Sequence, residues 1–198
     1  MNDFIVGIDE VGRGPIAGPV AVCSFICTKK NLESILEGLK LPIRDSKKLT
    51  KIQRKKWYDY LLDCKKDNLC DFSVSCVQGE DIDKFGIVKC IQKALNSSLL
   101  KVSQKHNISG IGVFLDGGLR APKEYENQET IIKGDETYPI ISLASIVAKE
   151  SRDKIMKDYA LEFPNYGFEN NSGYGTKMHY EAIKKYGQSK IHRKTFIH

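Results

Sequence analysis

The sequence contains no apolar run that approaches the roughly 18 residues needed to span a bilayer. It enters an apolar, strand-like run at its start without a preceding cationic region, which is not the pattern of a signal peptide. Internal repeats and low-complexity linkers are also missing. We therefore expect a cytoplasmic protein that does not enter the membrane, folded as a single domain over residues 1–198.

The cysteines lack the spacing of a metal site or of a disulfide framework. None of the six forms a CxxC pair. They are Cys23, Cys27, Cys64, Cys70, Cys76 and Cys90. We expect reduced thiols that serve as small buried hydrophobic side chains rather than as zinc ligands.

The composition is that of a folded protein with a basic bias. Of the 198 residues, 41% are hydrophobic and 28% charged, which is enough apolar material for a core and argues against disorder. The formal net charge is +6. The excess is clustered between Arg44 and Lys66, and again from Lys177 to Lys194, a stretch that includes Arg193. Such clusters indicate a polyanionic partner, although a solvated helix face would give the same pattern.

Apolar periodicity predicts five strands and five helices. The predicted strands are Phe4–Ile8, Val20–Cys27, Phe72–Cys76, Ile111–Leu115 and Thr130–Ile132. The predicted helices are Asn31–Leu39, Thr50–Lys66, Asp81–Val102, Leu143–Tyr159 and Lys177–Lys185. Strands that precede and then alternate with helices indicate an α/β or α+β layered domain with a mixed sheet.

The sequence also predicts two helix caps, one buried helix face and one loop. Asn31 and Thr50 are the predicted N-caps of the first two helices. The second helix is predicted to bury one face that includes Ile52 and Trp57, together with Tyr60 and Leu61. The segment Glu162–Tyr174, rich in Asn, Gly and aromatic residues, resembles a loop.

Acidic residues follow three of the predicted strands: Asp9 and Glu10, Asp116, and Asp135. Ligands of open α/β sheets gather beyond strand ends, where these carboxylates would repel one another unless cations lay between them. Magnesium and manganese are the natural choice, because both prefer hard oxygen ligands and no Cys or His set suggests zinc. Two such ions roughly 3.5–4 Å apart can activate water and neutralise the leaving oxygen of a phosphodiester.

Two considerations leave the metal interpretation open at this point. Aspartates also serve as turn residues and helix caps without any metal. Neighbouring residues of a strand point to opposite faces, so Asp9 and Glu10 can both reach the same ions only if the first strand ends or bulges there.

Three further segments carry residues suited to nucleic acid. Glycines in Gly12-Arg13-Gly14 allow close backbone approach to a phosphate or sugar, and Arg13 can hold a phosphate through two N–H donors. Lys47 and Lys48 lie in a predicted loop before the second helix, where they either hold backbone phosphates or are solvated. Tyr174, between two glycines, either packs on the core, the preferred interpretation from position alone, or stacks on a sugar or base.

These segments together resemble the ribonuclease HII family, in family order over nearly the whole chain. The matching segments are Gly7–Val20, Asp45–Thr50, Leu115–Gly117, Ile132–Asp135, Ser142–Lys149 with Arg152-Asp153, Gly173–Thr176 with His179, and His192–Phe196. The related ribonuclease HIII has Gly-Lys-Gly in the first segment, so Arg13 favours type HII.

The resemblance implies a ribonuclease H-like fold. Its expected form is a central mixed five-stranded sheet flanked by helices, with a mainly helical C-terminal portion from about residue 155 to 198. It also implies an endonuclease that hydrolyses the RNA strand of RNA–DNA hybrids. Such an enzyme nicks duplex DNA 5′ of an embedded ribonucleotide with two Mg²⁺ or Mn²⁺ ions, leaving 3′-hydroxyl and 5′-phosphate ends.

The resemblance further assigns roles to individual residues. Asp9, Glu10, Asp116 and Asp135 match the family's catalytic, metal-binding acids. Gly12, Arg13 and Gly14 match the turn that senses the ribose 2′-hydroxyl and an adjoining phosphate. Tyr174 matches the tyrosine that stacks against the sugar at the RNA–DNA junction, which replaces the core interpretation of this ring.

Two alternatives remain at this stage: a DNA-cutting nuclease of the same fold, and a catalytically silent nucleic-acid-binding domain. The presence of all four acids argues against the silent domain, and the glycine turn with Tyr174 argues against a DNA nuclease, which needs no 2′-hydroxyl sensor. No obligate protein partner is evident, so we expect a monomer that acts on RNA–DNA hybrids and ribonucleotide-containing duplexes.

Overall fold

The computed structural model describes residues 3–41, 43, 49–106 and 111–197. Within these ranges the chain forms the expected mixed five-stranded sheet. The strands are β1 (Phe4–Val11), β2 (Val20–Thr28), β3 (Cys70–Val77), β4 (Gly112–Asp116) and β5 (Gln128–Ile131). Their order in the sheet is β3-β2-β1-β4-β5: β2 pairs antiparallel with both β3 and β1, whereas β4 runs parallel to β1 and β5 parallel to β4.

Helices cover both faces of this sheet. They are α1 (Lys29–Gly38), α2 (Lys51–Lys66), α3 (Gly79–Phe85), α4 (Ile87–Ser103), α5 (Gly134–Thr137), α6 (Pro139–Glu162), α7 (Phe168–Asn171) and α8 (Lys177–Tyr186). Short 3₁₀ turns occur at Pro164–Tyr166 and Lys194–Phe196. None of the helices in the described ranges is apolar over a length that could cross a membrane.

The core has two layers because side chains alternate along the strands. On one face Ile5 packs with residues of α1, α2 and α6, and on the other Val6 and Ile8 pack with α4. Gly7 permits the close approach of α6, since a Cβ there would lie 2.2 Å from the carbonyl oxygen of Ile140. The N-terminal end of α6 therefore lies directly on β1, the strand that carries Asp9.

Helix capping explains where the first two helices begin. Thr50 caps α2 as predicted, in a capping box with Gln53. The prediction that Asn31 caps α1 was wrong: Thr28 is the N-cap, and its side chain accepts a hydrogen bond from the Asn31 N–H at 3.1 Å. The Asn31 side chain instead donates to the carbonyl of Leu69 at 2.8 Å, which ties α1 to the start of β3.

The prediction of one continuous helix from Asp81 to Val102 was also wrong. Gly86 adopts a φ of +82° and separates α3 from α4, so the apolar residues on its two sides do not belong to one continuous helix. Phe85 and Val88, on either side of the break, are 46% and 67% exposed. Ile52, predicted to be buried on α2, is 72% exposed, although Trp57 of the same helix is fully buried.

The segment Glu162–Tyr174 contains more structure than the predicted loop. It forms a 3₁₀ turn and the short helix α7, and it buries Tyr166 and Phe168 in a small third cluster with Met156 and Ile191. The two rings stack with centroids 5.4 Å apart. This cluster anchors the C-terminal part of the chain to the end of α6.

The cysteines confirm their prediction. All six are free thiols. Five are buried, and Cys76 is half-buried.

Candidate active site

The four predicted acids lie together at one end of the sheet, and we call them the acidic cluster: Asp9, Glu10, Asp116 and Asp135. Ligand oxygens of Asp9, Glu10 and Asp116 lie within 4.8 Å of one another. Asp135 adjoins them, because its backbone N–H donates to Asp116 Oδ1 at 3.3 Å. Asp9 and Asp135 are almost completely buried.

Asp135 reaches the cluster from a short helix rather than from a strand end. Strand β5 ends at Ile131, and Lys133 turns the chain in the left-handed region with a φ of +54°. Asp135 then lies in the first turn of α5. The Ser142 hydroxyl, on α6, donates to the Asp135 carbonyl at 2.7 Å and fixes the short helix against the long one.

Glu10 joins the cluster although β1 neither ends nor bulges there. The register with β2 continues without interruption through Asp9, Glu10 and Val11, so the prediction that these acids follow the end of the first strand was wrong. Pairing between β1 and the parallel strand β4 stops at Ile8 and Leu115. Because β1 continues past its partner, the side chain of Glu10 can reach Asp116 around the end of β4.

Burial and mutual repulsion dominate the electrostatics of the cluster. Burial, and then the charges of Glu10, Asp116 and Asp135, raise the pKa of Asp9 well above its usual value, against a hydrogen bond from Ser145. Burial and the charge of Asp116 also raise the pKa of Glu10, which the nearby Arg13 partly opposes. Ionised carboxylates in this arrangement are costly unless a cation accompanies them.

The acidic cluster opens into a cleft of about 350 Å³. Five other residues line it: Val11, Arg54, Ser145, Lys149 and Tyr174. No role was predicted for Arg54, Ser145 or Lys149. Arg54 was counted only within a charge cluster, and the other two only within a matching segment.

The two positively charged side chains of the cleft, Arg54 and Lys149, are already paired with carboxylates. Arg54 Nε donates to Glu150 Oε1 at 2.8 Å, and its side chain is only 11% exposed. Lys149 Nζ donates to Asp153 Oδ1 at 2.8 Å, one helical turn along α6. These pairs hold positive groups at the edge of the cleft in fixed positions, as a surface for phosphate requires.

The Gly12-Arg13-Gly14 turn borders the cluster directly. Arg13 is largely exposed, with Nη1 3.6 Å from Glu10 Oε1. Gly12 has a φ of +87°, and a Cβ there would lie 2.3 Å from Arg152 Nε, so its missing side chain makes room for Arg152 rather than for a ligand. A Cβ on Gly14 would meet only the Tyr174 ring, at 4.0 Å, so Gly14 is the glycine whose open side faces the tyrosine.

Tyr174 lies on the surface of this cleft and not in the core. It is 46% exposed and lines the cleft with the acids. Its loop is docked on the chain that follows the glycine turn, because the backbone amides of Ile16 and Ala17 both donate to the carbonyl of Gly173, at 2.9 and 3.2 Å. The two segments are therefore held in one unit.

A buried histidine pair holds the backbone of Tyr174. His179 Nδ1 lies 2.8 Å from the Tyr174 carbonyl and must donate to it, so His179 Nε2 accepts from His192 Nε2 at 3.0 Å. His192 Nδ1 in turn accepts from the Ser189 N–H at 2.8 Å. Burial, then the neighbouring His179, lowers the pKa of His192 to about 4, and burial lowers the pKa of His179, so both rings are neutral at pH 7.

Two fully buried arginines lie beneath the glycine turn and the residues that follow it. Arg193 donates to the carbonyls of Gly12, Arg13 and Gly18, whereas Arg152 donates to those of Ala17, Pro19 and Ser172. Arg193 was predicted to belong to a basic patch and is instead completely buried, so it adds no exposed charge there. No local pattern indicated this contact, because 180 residues separate Arg193 from Arg13.

Lys47 and Lys48, predicted to bind substrate, lie outside the described residues.

Comparison with known sequences gives a consistent family. The family model described as Ribonuclease HII matches residues 6–198. The chain is similar to a ribonuclease HII of Clostridium beijerinckii, with 41% identity over 98% of this chain and 67% of that protein. It is also similar to one of Fusobacterium nucleatum, with 39% identity over 98% of this chain and 85% of that protein. The chain thus spans about two thirds of the length of the Clostridium relative.

Solved structures share the fold. The RNase HII of the PCNA complex from Archaeoglobus fulgidus gives a TM-score of 0.76 at 22% identity, over 98% of this chain and 96% of that one. The ribonuclease H2 of Pyrococcus horikoshii gives 0.70 at 26% identity, over 97% and 93%. Bst-RNase HIII, solved in complex with Mn²⁺, gives 0.69 at 16% identity, over 94% and 63%. The expected ribonuclease H-like fold is confirmed.

Proposed function

The chain belongs to the ribonuclease HII family and is a hydrolase of the ribonuclease H type, and from this premise we propose its substrate and its cut. It hydrolyses the RNA strand of RNA–DNA hybrids and nicks duplex DNA on the 5′ side of an embedded ribonucleotide, leaving 3′-hydroxyl and 5′-phosphate ends. Residues 1–198 act as one catalytic domain. One observation carries the proposal: carboxylate oxygens within 4.8 Å of one another share a cleft with Tyr174.

The side chains of the acidic cluster suit divalent cations. Their donors are carboxylate oxygens, the ligands that Mg²⁺ and Mn²⁺ prefer. Glu10 Oε2 is buried and has no hydrogen-bond partner among the described residues, so it is available to a cation. We assign Asp9, Glu10, Asp116 and Asp135 as the ligands of two such ions. These ions would activate the attacking water and neutralise the leaving oxygen of the phosphodiester.

Other residues of the chain position the substrate and distinguish RNA from DNA. Arg13 is exposed beside the cluster, where its guanidinium can bind a phosphate. The Gly12–Gly14 turn is proposed to sense the ribose 2′-hydroxyl, the group that distinguishes RNA from DNA. Tyr174 is proposed to stack on the neighbouring sugar, and Lys47 and Lys48 to bind phosphates of the backbone. No covalent intermediate is needed, because water is the nucleophile.

The test is a nicking assay on three matched duplexes: one with a single ribonucleotide, a long RNA–DNA hybrid, and an all-DNA control, each with Mg²⁺ and with Mn²⁺. We expect cleavage of the first two, a single nick 5′ of the ribonucleotide, and 3′-hydroxyl ends that a polymerase can extend. Equal cutting of the all-DNA duplex would instead indicate a DNA nuclease. Binding without cleavage under both metals would indicate a silent binding domain.

A further inference from the structure

Arg193 is a buried charged residue that the acidic chemistry leaves unexplained. Its side chain is completely buried, next to the isolated β-bridge between Ala17 and His192. Each guanidinium nitrogen donates to one backbone carbonyl: Nε to Gly18 at 2.9 Å, Nη1 to Arg13 at 3.1 Å and Nη2 to Gly12 at 2.7 Å. Burial lowers the pKa of Arg193 to about 10, so the group is still charged at neutral pH.

These bonds decide which way the peptide groups of the glycine turn face. In a trans peptide the carbonyl and the N–H point in opposite directions, and no described peptide bond is cis. The carbonyls of Gly12 and Arg13 point inward to Arg193. The N–H groups of the same two peptides, which belong to Arg13 and Gly14, therefore point outward.

The outward amides are available to a ligand. Arg13 and Gly14 are both exposed, and among the described residues neither amide donates a hydrogen bond. The open side of Gly14 faces the Tyr174 ring, since a Cβ on this glycine would lie 4.0 Å from Tyr174 Cε1. Two adjacent N–H groups beside a half-exposed tyrosine are donors of the kind that can bind an oxygen of a sugar or phosphate.

We propose that Arg193 is a positioning residue for ribonucleotide recognition, because it turns the Gly12 and Arg13 carbonyls inward and so presents the Arg13 and Gly14 amides to the sugar. This inference rests on the proposed function and adds to it the residue on which discrimination depends. Arg193 itself touches no substrate. Its planar fork of donors spans all three carbonyls at once, which a lysine ammonium cannot reproduce.

Arg152 offers a matched control within the same layer. It is also completely buried, and it also makes three hydrogen bonds to backbone carbonyls. Arg152 packs against Gly12, but its acceptors are Ala17, Pro19 and Ser172, so it holds no carbonyl of the Gly12–Gly14 turn. Loss of Arg152 and loss of Arg193 should therefore cost similar stability but differ in their effect on recognition.

The experiment compares Arg193→Lys, Arg193→Gln and Arg152→Lys with the parent. Equilibrium binding is measured on a duplex with one ribonucleotide and on the matched all-DNA duplex, and thermal unfolding is measured for each variant. We expect the Arg193 variants to lose at least about tenfold in the ratio of the two affinities, about 1.4 kcal/mol. Their affinity for all-DNA duplex should stay parental. Arg152→Lys should keep the affinity ratio within about twofold, well under 1.4 kcal/mol.

Each other outcome overturns part of the argument. A parental affinity ratio in folded Arg193→Lys and Arg193→Gln means that Arg193 does not position the turn. An equal loss of the ratio in Arg152→Lys means that general loosening is the cause. Failure of both Arg193 variants to fold means that the residue serves stability alone. If the parent itself shows no preference for the ribonucleotide duplex, the proposed function fails and not this inference.

Discussion

Two adjacent parts of the candidate active site are stabilised in opposite ways. In the acidic cluster, buried like charges raise the pKa values of Asp9 and Glu10, and Glu10 Oε2 has no hydrogen-bond partner among the described residues. The facing part, which we call the glycine–tyrosine edge, comprises Gly12–Gly14 and Tyr174. Its inward carbonyls are bonded to buried guanidinium and imidazole groups.

The difference indicates what each part needs from outside the chain. The acidic cluster is incomplete by itself, since its ionised form needs a cation to relieve the repulsion. The backbone of the glycine–tyrosine edge is already held in position before a ligand binds, so little conformational entropy is lost on binding. Changes in the acidic cluster should therefore alter chemistry with little harm to folding. Changes beneath the glycine–tyrosine edge should lower the stability of the fold, and at Arg193 should also weaken recognition, whereas changes on its outer side should weaken recognition alone.

The largest expected effect separates chemistry from folding. Asp9→Asn should reduce cleavage by at least about a thousandfold, about 4 kcal/mol of barrier. Fold and duplex binding should stay nearly unchanged, because the Asp9 charge holds cations rather than the core. Single-turnover nicking, gel-shift binding and circular dichroism measure the three properties. The control is Asp158→Asn, which removes the same charge from an exposed position and should leave cleavage normal. Asp9→Asn activity within about tenfold of the parent, only about 1.4 kcal/mol, would refute the assignment.

Tyr174→Ala tests the outer side of the glycine–tyrosine edge. Losing a stacking contact costs about 1–3 kcal/mol. Misplacement of the scissile phosphate by about 1 Å can cost about 100-fold in rate. We expect turnover on the one-ribonucleotide duplex to fall more than affinity does. Tyr186→Ala is the matched control, with 47% exposure against 46% but a position outside the cleft. A parental rate, or an unfolded Tyr174→Ala protein, would contradict the proposed role.

Two glycines of one turn should respond differently to the same methyl group. Gly14→Ala points its methyl toward the Tyr174 ring and should fold normally while cutting the one-ribonucleotide duplex about tenfold more slowly, about 1.4 kcal/mol. Gly12→Ala combines a φ of +87° with a 2.3 Å contact to Arg152 Nε. Overpacking of about 1–3 kcal/mol should lower its Tm by several degrees. Thermal unfolding and nicking of both variants decide the matter. Equal losses of stability would mean that the two sides of the turn are not distinct.

The contrast also explains which parts of the molecule the sequence predicts. Local sequence patterns predict the strands, the Thr50 cap and the acids at one end of the sheet. These patterns are the spacing of apolar residues and the residue types that favour turns and helix caps. The break at Gly86 does not, because apolar residues continue at helical steps on both sides of it and an isolated glycine is tolerated in many helices.

The support beneath the glycine–tyrosine edge is the least predictable part. Arg193 resembles any other member of the C-terminal basic stretch until the fold brings it under Gly12 and Arg13. Burial of a charged side chain depends on carbonyl partners that are far away in sequence, so no period or spacing indicates it. Glu10 is similar, since its reach depends on where the neighbouring strand β4 stops.

The smallest expected effect is a pH dependence of stability in protein stripped of divalent ions. The pKa of Asp9 in the folded protein is raised, first by burial and then by Glu10. The unfolded chain ionises this group near pH 4, about its reference value. As pH rises above that value, the unfolded state releases its proton before the folded state does. The Asp9 carboxyl therefore lowers the free energy of unfolding progressively as pH rises through the folded pKa.

Asp9→Asn removes that penalty, so its Tm should equal the parental Tm near pH 4 and exceed it increasingly toward pH 7. Asp158→Asn should show no such trend. Adding Mn²⁺ at pH 7 should raise the parental Tm by preferential binding to the folded state, and should raise the Tm of Asp9→Asn less. Thermal unfolding at pH 4 to 8, with chelator and with Mn²⁺, measures all of these. A Tm difference that does not change with pH would mean that the acidic cluster stores no repulsion, and the contrast with the glycine–tyrosine edge would fail.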